Sequence, residues 1–193
     1  MKRKVLLLVL VISLISILTG CGEMAFYLSG WVWPEDLDFI TTIEGLKTPQ
    51  EISDYMIDNF YHETHAFWTP SPYTVWKTKK GDCNDFATFG AFVAHWHDYE
   101  TYLIKMIYVK SCWEHWLAVY VEDDGLSYTD NQSYRIYDYL NDIYGFNSFK
   151  GIVDFACLHH PEWKLKKYIV YDYESRIVET GPNGDSWVIP FKN

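Results

Sequence analysis

The distribution of apolar positions changes character twice along the chain. A basic head, Lys2, Arg3 and Lys4, precedes an almost unbroken apolar run from Val5 to Leu18. That run is shorter than the roughly 20 residues a membrane-spanning helix needs. Beyond it, Thr48-Pro49-Gln50-Glu51 carries a threonine cap with proline at the first helical position, and Ile52, Tyr55, Met56 and Phe60 then recur at helical spacing. A proline-punctuated stretch, Trp68-Thr69-Pro70-Ser71-Pro72, reads as a loop. From Cys83 to about His97, Phe86, Phe89, Phe92, Val93 and Trp96 return at steps of three and four, predicting a helix with Cys83 in its first turn.

The period then shortens. Tyr102 to Val109, His115 to Val121, Ser127 to Asn131, Lys167 to Val178 and Ser186 to Phe191 are rich in β-branched and aromatic residues, and Gly125 marks a turn between two of them. Helices first and strands afterwards predict an α+β domain built on an antiparallel sheet. A chain of 193 residues with 49% hydrophobic content suits one core. The expected organisation is a leader at 1–20, a tether at 21–40 with Phe26, Tyr27, Trp31 and Trp33, and one domain at 41–193.

The formal net charge is −10, and removal of the basic head would make it more acidic still. Nucleic acid is therefore not an expected partner. The acidic field instead favours encounter with neutral or basic substrates. The head, the short apolar core and Leu18-Thr19-Gly20-Cys21 resemble a bacterial lipoprotein signal. The resemblance implies cleavage before Cys21, lipidation of its thiol, and an exported protein anchored to a membrane at the cell surface or in the periplasm. Cys83, Cys112 and Cys157 would then remain. In an oxidising compartment a Cys112–Cys157 disulfide with Cys83 free, and a set of reduced, buried thiols, are both open.

Cys83 begins a helix, where unsatisfied amides favour thiolate over thiol. Alone this is also the description of a small core residue, so the chemistry depends on a base. His115 heads the alternating stretch His115-Trp116-Leu117-Ala118-Val119-Tyr120-Val121. A hairpin turning at Asp123-Asp124 sets Asp130 opposite Leu117, one diagonal step from His115 on the same face. A turn at Asp124-Gly125 would slide Asp130 two residues further away. Cysteine, histidine and carboxylate together make an acyl-transfer set.

Gly81-Asp82-Cys83-Asn84-Asp85-Phe86-Ala87, the His115 to Tyr120 stretch and Tyr128-Thr129-Asp130 resemble the cysteine, histidine and aspartate motifs of the transglutaminase-like superfamily. Trp68-Thr69-Pro70 is similar to its bacterial cysteine proteinases, so the resemblance spans residues 48 to 131. It implies a papain-like core with the cysteine helix packed on an antiparallel sheet. Cys83 would be the nucleophile, His115 the proton carrier and Asp130 the orienting carboxylate, acting on amide bonds of protein or peptide substrates through a thioester. Hydrolysis is favoured over cross-linking.

The Cys83 N–H is the expected first oxyanion donor, and Trp68 is a candidate for the second, with Tyr73 and Trp76 as alternatives. No cofactor is required. Some relatives bind calcium beside the cysteine, which Asp82 and Asp85 leave open, although Asn84 stands where a glutamate is common. Read locally, Asp82 is a helix cap and Asp85 a favourable first-turn charge. His62-Glu63-Thr64-His65 lacks the four-residue histidine spacing of a zinc helix. The competing reading of the whole chain is a peptide- or glycan-binding module on the same fold.

Overall fold

The computed structural model describes residues 36–65, 69–109, 114–138, 143–159 and 164–181. The leader, Cys21, Trp68, Cys112 and the expected strand at 186–191 lie outside the described residues, and among those described no helix is long and apolar enough to cross a membrane.

Helix α1 (Leu37–Gly45) opens on Asp36, whose carboxylate accepts from the N–H groups of Asp38 and Phe39. It starts inside the stretch read as a tether, and its Phe39 and Ile43 are buried. Helix α2 (Pro49–Asn59) begins as its sequence predicts, with Thr48 and Glu51 forming a reciprocal capping box that satisfies donors otherwise left open at a helix start. Strand β1 (Tyr61–His62) follows. The prolines that read as loop instead frame a short helix, α3 (Pro72–Thr78), with Ser71 as cap and Pro72 at its first position. It ends at Lys79, in left-handed geometry, before β2 (Lys80–Gly81).

Helix α4 (Cys83–Trp96) is the centre of the molecule. Its Phe86 and Phe89 are fully buried, each worth about 1.5–3 kcal/mol of transfer free energy. Strands β3 (Thr101–Tyr108), β4 (Glu114–Glu122), β5 (Gly125–Asp130) and β6 (Ser133–Arg135) follow, then β7 (Tyr137–Asp138), β8 (Ile143–Tyr144), α5 (Phe149–His159), β9 (Leu165–Asp172) and β10 (Ile177–Gly181). Six of the strands form one antiparallel sheet in the order β10-β9-β3-β4-β5-β6.

The sheet is covered on both faces. Ala118 and Tyr120 of β4 pack with α1, α2 and α4, whereas Leu117 and Val119 pack with α5, whose apolar face the sequence reading did not anticipate. Gly90 lets α4 lie close to β4. A Cβ there would stand 2.5 Å from the Tyr120 hydroxyl, which is bonded to Thr129 Oγ1 at 3.0 Å. His97, at the C-terminal cap of α4, uses its Nε2 to bind the carbonyl of Ile43 at 2.7 Å, tying α1 to the same layer.

Candidate active site

Two local structures build the site. The first is the start of α4. Asp82 is its cap, accepting from Asn84 N–H at 3.0 Å and Asp85 N–H at 3.4 Å, while Asp85 Oδ2 reaches back to Asp82 N–H at 2.8 Å. Cys83 occupies the first helical position, and the cap uses the N–H groups of the two residues after it rather than its own. Gly81 makes the reciprocal box sterically possible, since a Cβ there would lie 2.7 Å from Asp85 Cβ.

The second is the β4–β5 hairpin. Its register pairs Glu122 with Gly125 and Leu117 with Asp130, which is the Asp123-Asp124 turn. His115 therefore lies diagonally from Asp130, and its Nε2 is 2.8 Å from Asp130 Oδ1. The imidazole is buried, and the carboxylate is nearly so.

Cys83 meets this hairpin through the backbone. Its Sγ lies 3.8 Å from the Glu114 carbonyl oxygen, and the Trp116 amide is close enough to favour the thiolate, so the thiol faces the peptide groups on either side of His115. Strand alternation assigns His115 to the row of Leu117 and Val119, on the α5 side, whereas α4 packs on the row of Ala118 and Tyr120. Among the described residues no hydrogen bond joins Cys83 to His115.

The thiol differs electrostatically from the sequence expectation. Burial, reinforced by the negative charge of Asp82, pushes its pKa up to about 12, while the Trp116 and Asn84 amides pull in the other direction without prevailing. The helix terminus is thus outweighed by desolvation and by the carboxylate that caps it. The Trp116 ring stacks on Tyr171 at 5.9 Å and lies under Lys105 Nζ at 5.3 Å, itself paired with Glu114.

Of the alternative oxyanion donors, Tyr73 gives its hydroxyl proton to Asp36 at 2.9 Å, and Trp76 packs against Phe39. Cys157 is a free, half-buried thiol on α5. One residue of the site was not anticipated. His65 Nε2 lies 2.5 Å from Asp85 Oδ2 and 3.8 Å from Asp82 Oδ2, forming the one histidine–carboxylate cluster of metal-ligand type among the described residues. Nothing in the spacing of His65 points to Asp85, because a parallel β1–β2 ladder, not a helix, brings them together.

No family profile and no curated protein matches the chain. Solved structures with a related chain path include calcium-bound LapG of Legionella pneumophila, 13% identical over 78% of this chain and 81% of that one, with a TM-score of 0.44. Another is a Cytophaga hutchinsonii chain named as a "Putative Cysteine Protease", 10% identical over 78% of this chain and 53% of that one, with a TM-score of 0.42. The α+β fold, with a cysteine-headed helix on an antiparallel sheet, stands on the architecture itself.

Proposed function

We propose that the protein is a cysteine-dependent acyl-transfer enzyme that hydrolyses amide bonds in protein or peptide substrates. The observation that carries this is the placement of a helix-capped cysteine against the strand segment bearing a carboxylate-bound histidine. Asp130 holds the imidazole through Nε2, and the proton exchange with the thiol is assigned to Nδ1. The half-buried thiol, its pKa pushed up to about 12, is protonated before reaction. Catalysis then requires Cys83 to leave the Glu114 carbonyl and the end of β4 to turn His115 toward it.

The thiol proton passes to His115 as sulfur bonds to the substrate carbonyl carbon. The C–N bond then breaks, His115 returns the proton to the leaving amine, and a thioester remains. Water deprotonated by His115 cleaves the thioester and regenerates the thiol. The Cys83 N–H faces the developing oxyanion, with Trp68 proposed as the second donor.

The leader is proposed to be a lipoprotein signal, with Cys21 as the lipidated residue and the domain held at a membrane outside the cytoplasm. One observation favours a second reading, a binding module: the thiol is paired with backbone rather than imidazole. An activated acyl ester separates the two. The enzyme reading expects a covalent adduct on Cys83 that His115→Ala slows and Cys83→Ser abolishes, whereas the binding reading expects none.

A further inference from the structure

The calcium expectation can be tested against the donors themselves. Calcium takes six to eight oxygen ligands. Here Asp82 Oδ1 is committed to the helix cap and Asp85 Oδ2 accepts from Asp82 N–H and binds His65 Nε2, so among the described residues Asp82 Oδ2 and the buried, unpartnered Asp85 Oδ1 and Asn84 Oδ1 are the side-chain oxygens left there, too few for that shell. The imidazole sits between the two carboxylates, at 2.5 Å from one and 3.8 Å from the other. Asp85 is fully buried, so its charge needs a partner inside the protein.

We infer that His65 takes the place of a bound cation in this chain. It is a positioning residue that balances Asp82 and Asp85 and holds the start of α4, making the site independent of calcium.

The surrounding structure delivers the imidazole to that place. Strand β1 pairs in parallel with β2, setting His62 beside Gly81, and Glu63 N–H then binds the Gly81 carbonyl at 2.8 Å. Lys80 Nζ bonds Glu63 Oε2 at 2.7 Å across the same ladder. His65 follows directly, so the route runs from the ladder through His65 to Asp85, from Asp85 to the Asp82 amide, and so to the turn that holds Cys83. The inference does not depend on Cys83 being a nucleophile.

The test uses the purified full chain and reads stability and metal uptake rather than activity. Thermal unfolding is followed in excess chelator and in excess calcium, and uptake is titrated with calcium and, as a luminescent stand-in, terbium. The expected result is equal Tm in both buffers and no stoichiometric uptake. Manganese and zinc, which accept a nitrogen ligand beside carboxylates, are titrated alongside and are also expected to leave Tm unchanged. Uptake of any of these ions with a rise in Tm would overturn the inference. His65→Ala should lower Tm and make it respond to calcium, because two carboxylates then face each other without a counter-charge. A variant as stable as the parent in chelator would overturn it too. Should His65→Ala not fold, His65→Gln keeps a donor without the charge, and its Tm must still fall below the parent's.

Discussion

His115 Nε2 lies 2.8 Å from Asp130 Oδ1, across a hairpin whose register sets Leu117 opposite Asp130. The pair orients the imidazole, and the proposed proton exchange with the thiol runs through Nδ1. Asp130→Asn should therefore lower kcat by on the order of 10³–10⁴-fold while KM changes little, as expected for loss of an orienting carboxylate. Steady-state kinetics on a peptide or activated ester measures this. A change confined to KM would make Asp130 a binding residue.

How far this arrangement is legible in the sequence depends on the range of the interaction. Period-three-to-four spacing suffices for α4, and the threonine–proline start suffices for α2, because capping and amphipathicity are local. The His115–Asp130 pairing is legible only once the turn is placed, since Asp123-Asp124 and Asp124-Gly125 convert residue numbers into different partners, and the fold takes the first. Helix α1 was obscured because its Asp36 cap sits beside aromatic residues that resemble a tether, and α3 because Pro70 and Pro72 read as loop although Pro72 is at a first helical position. Helix α5 contains Gly151, a poor helix former, and is held by burial of Ile152, Val153, Phe155 and Ala156 on the sheet. His65 meets Asp85 only through the β1–β2 ladder, which no local pattern announces. Nor does spacing convey desolvation, which is why the expected thiolate at Cys83 is a protonated thiol in the fold.

That thiol supplies a second prediction. With its pKa pushed up to about 12 by burial and by Asp82, Cys83 in the substrate-free protein should be alkylated slowly at neutral pH and faster as pH rises. Asp82→Asn keeps a competent cap but removes the charge, so it should move the profile to lower pH. Rates read by mass mapping decide the matter. A plateau already reached below pH 7 would mean that a thiolate–imidazolium pair exists before substrate arrives.

Stability should fall as pH rises above about 6.5, the ordinary value of a histidine. The His65 pKa is shifted upward: burial opposes the shift, but the hydrogen bond and charge of Asp85, with Asp82 and Glu63, prevail. A raised histidine contributes stability that is fully present below its ordinary value near 6.5 and is lost as pH rises through the folded-state value. Tm measured across that window should decline in the parent and decline less in His65→Gln. Parallel profiles for the two proteins would remove His65 from the account.

Gly81 offers a steric check on the start of α4. A Cβ would lie 2.7 Å from Asp85 Cβ and 2.8 Å from its Oδ2, forcing the carboxylate away from the Asp82 amide. Gly81→Ala should cost about 1–3 kcal/mol in denaturant unfolding, the usual range for overpacking a filled site. A neutral result would mean that the capping box is not tightly held.

The central claim is that Cys83 forms a thioester through His115, and intact-protein mass after incubation with an activated acyl substrate measures it most directly. The parent should gain one acyl group, mapped to Cys83, at a rate that falls on the order of 10²-fold or more in His115→Ala, the scale of positioned general-base catalysis. Cys83→Ser should gain none, and Asp124→Asn, in the hairpin turn, should react as the parent does. No acyl-enzyme in the parent, or equal rates in the parent and His115→Ala, would contradict the enzyme reading and leave the binding module in its place.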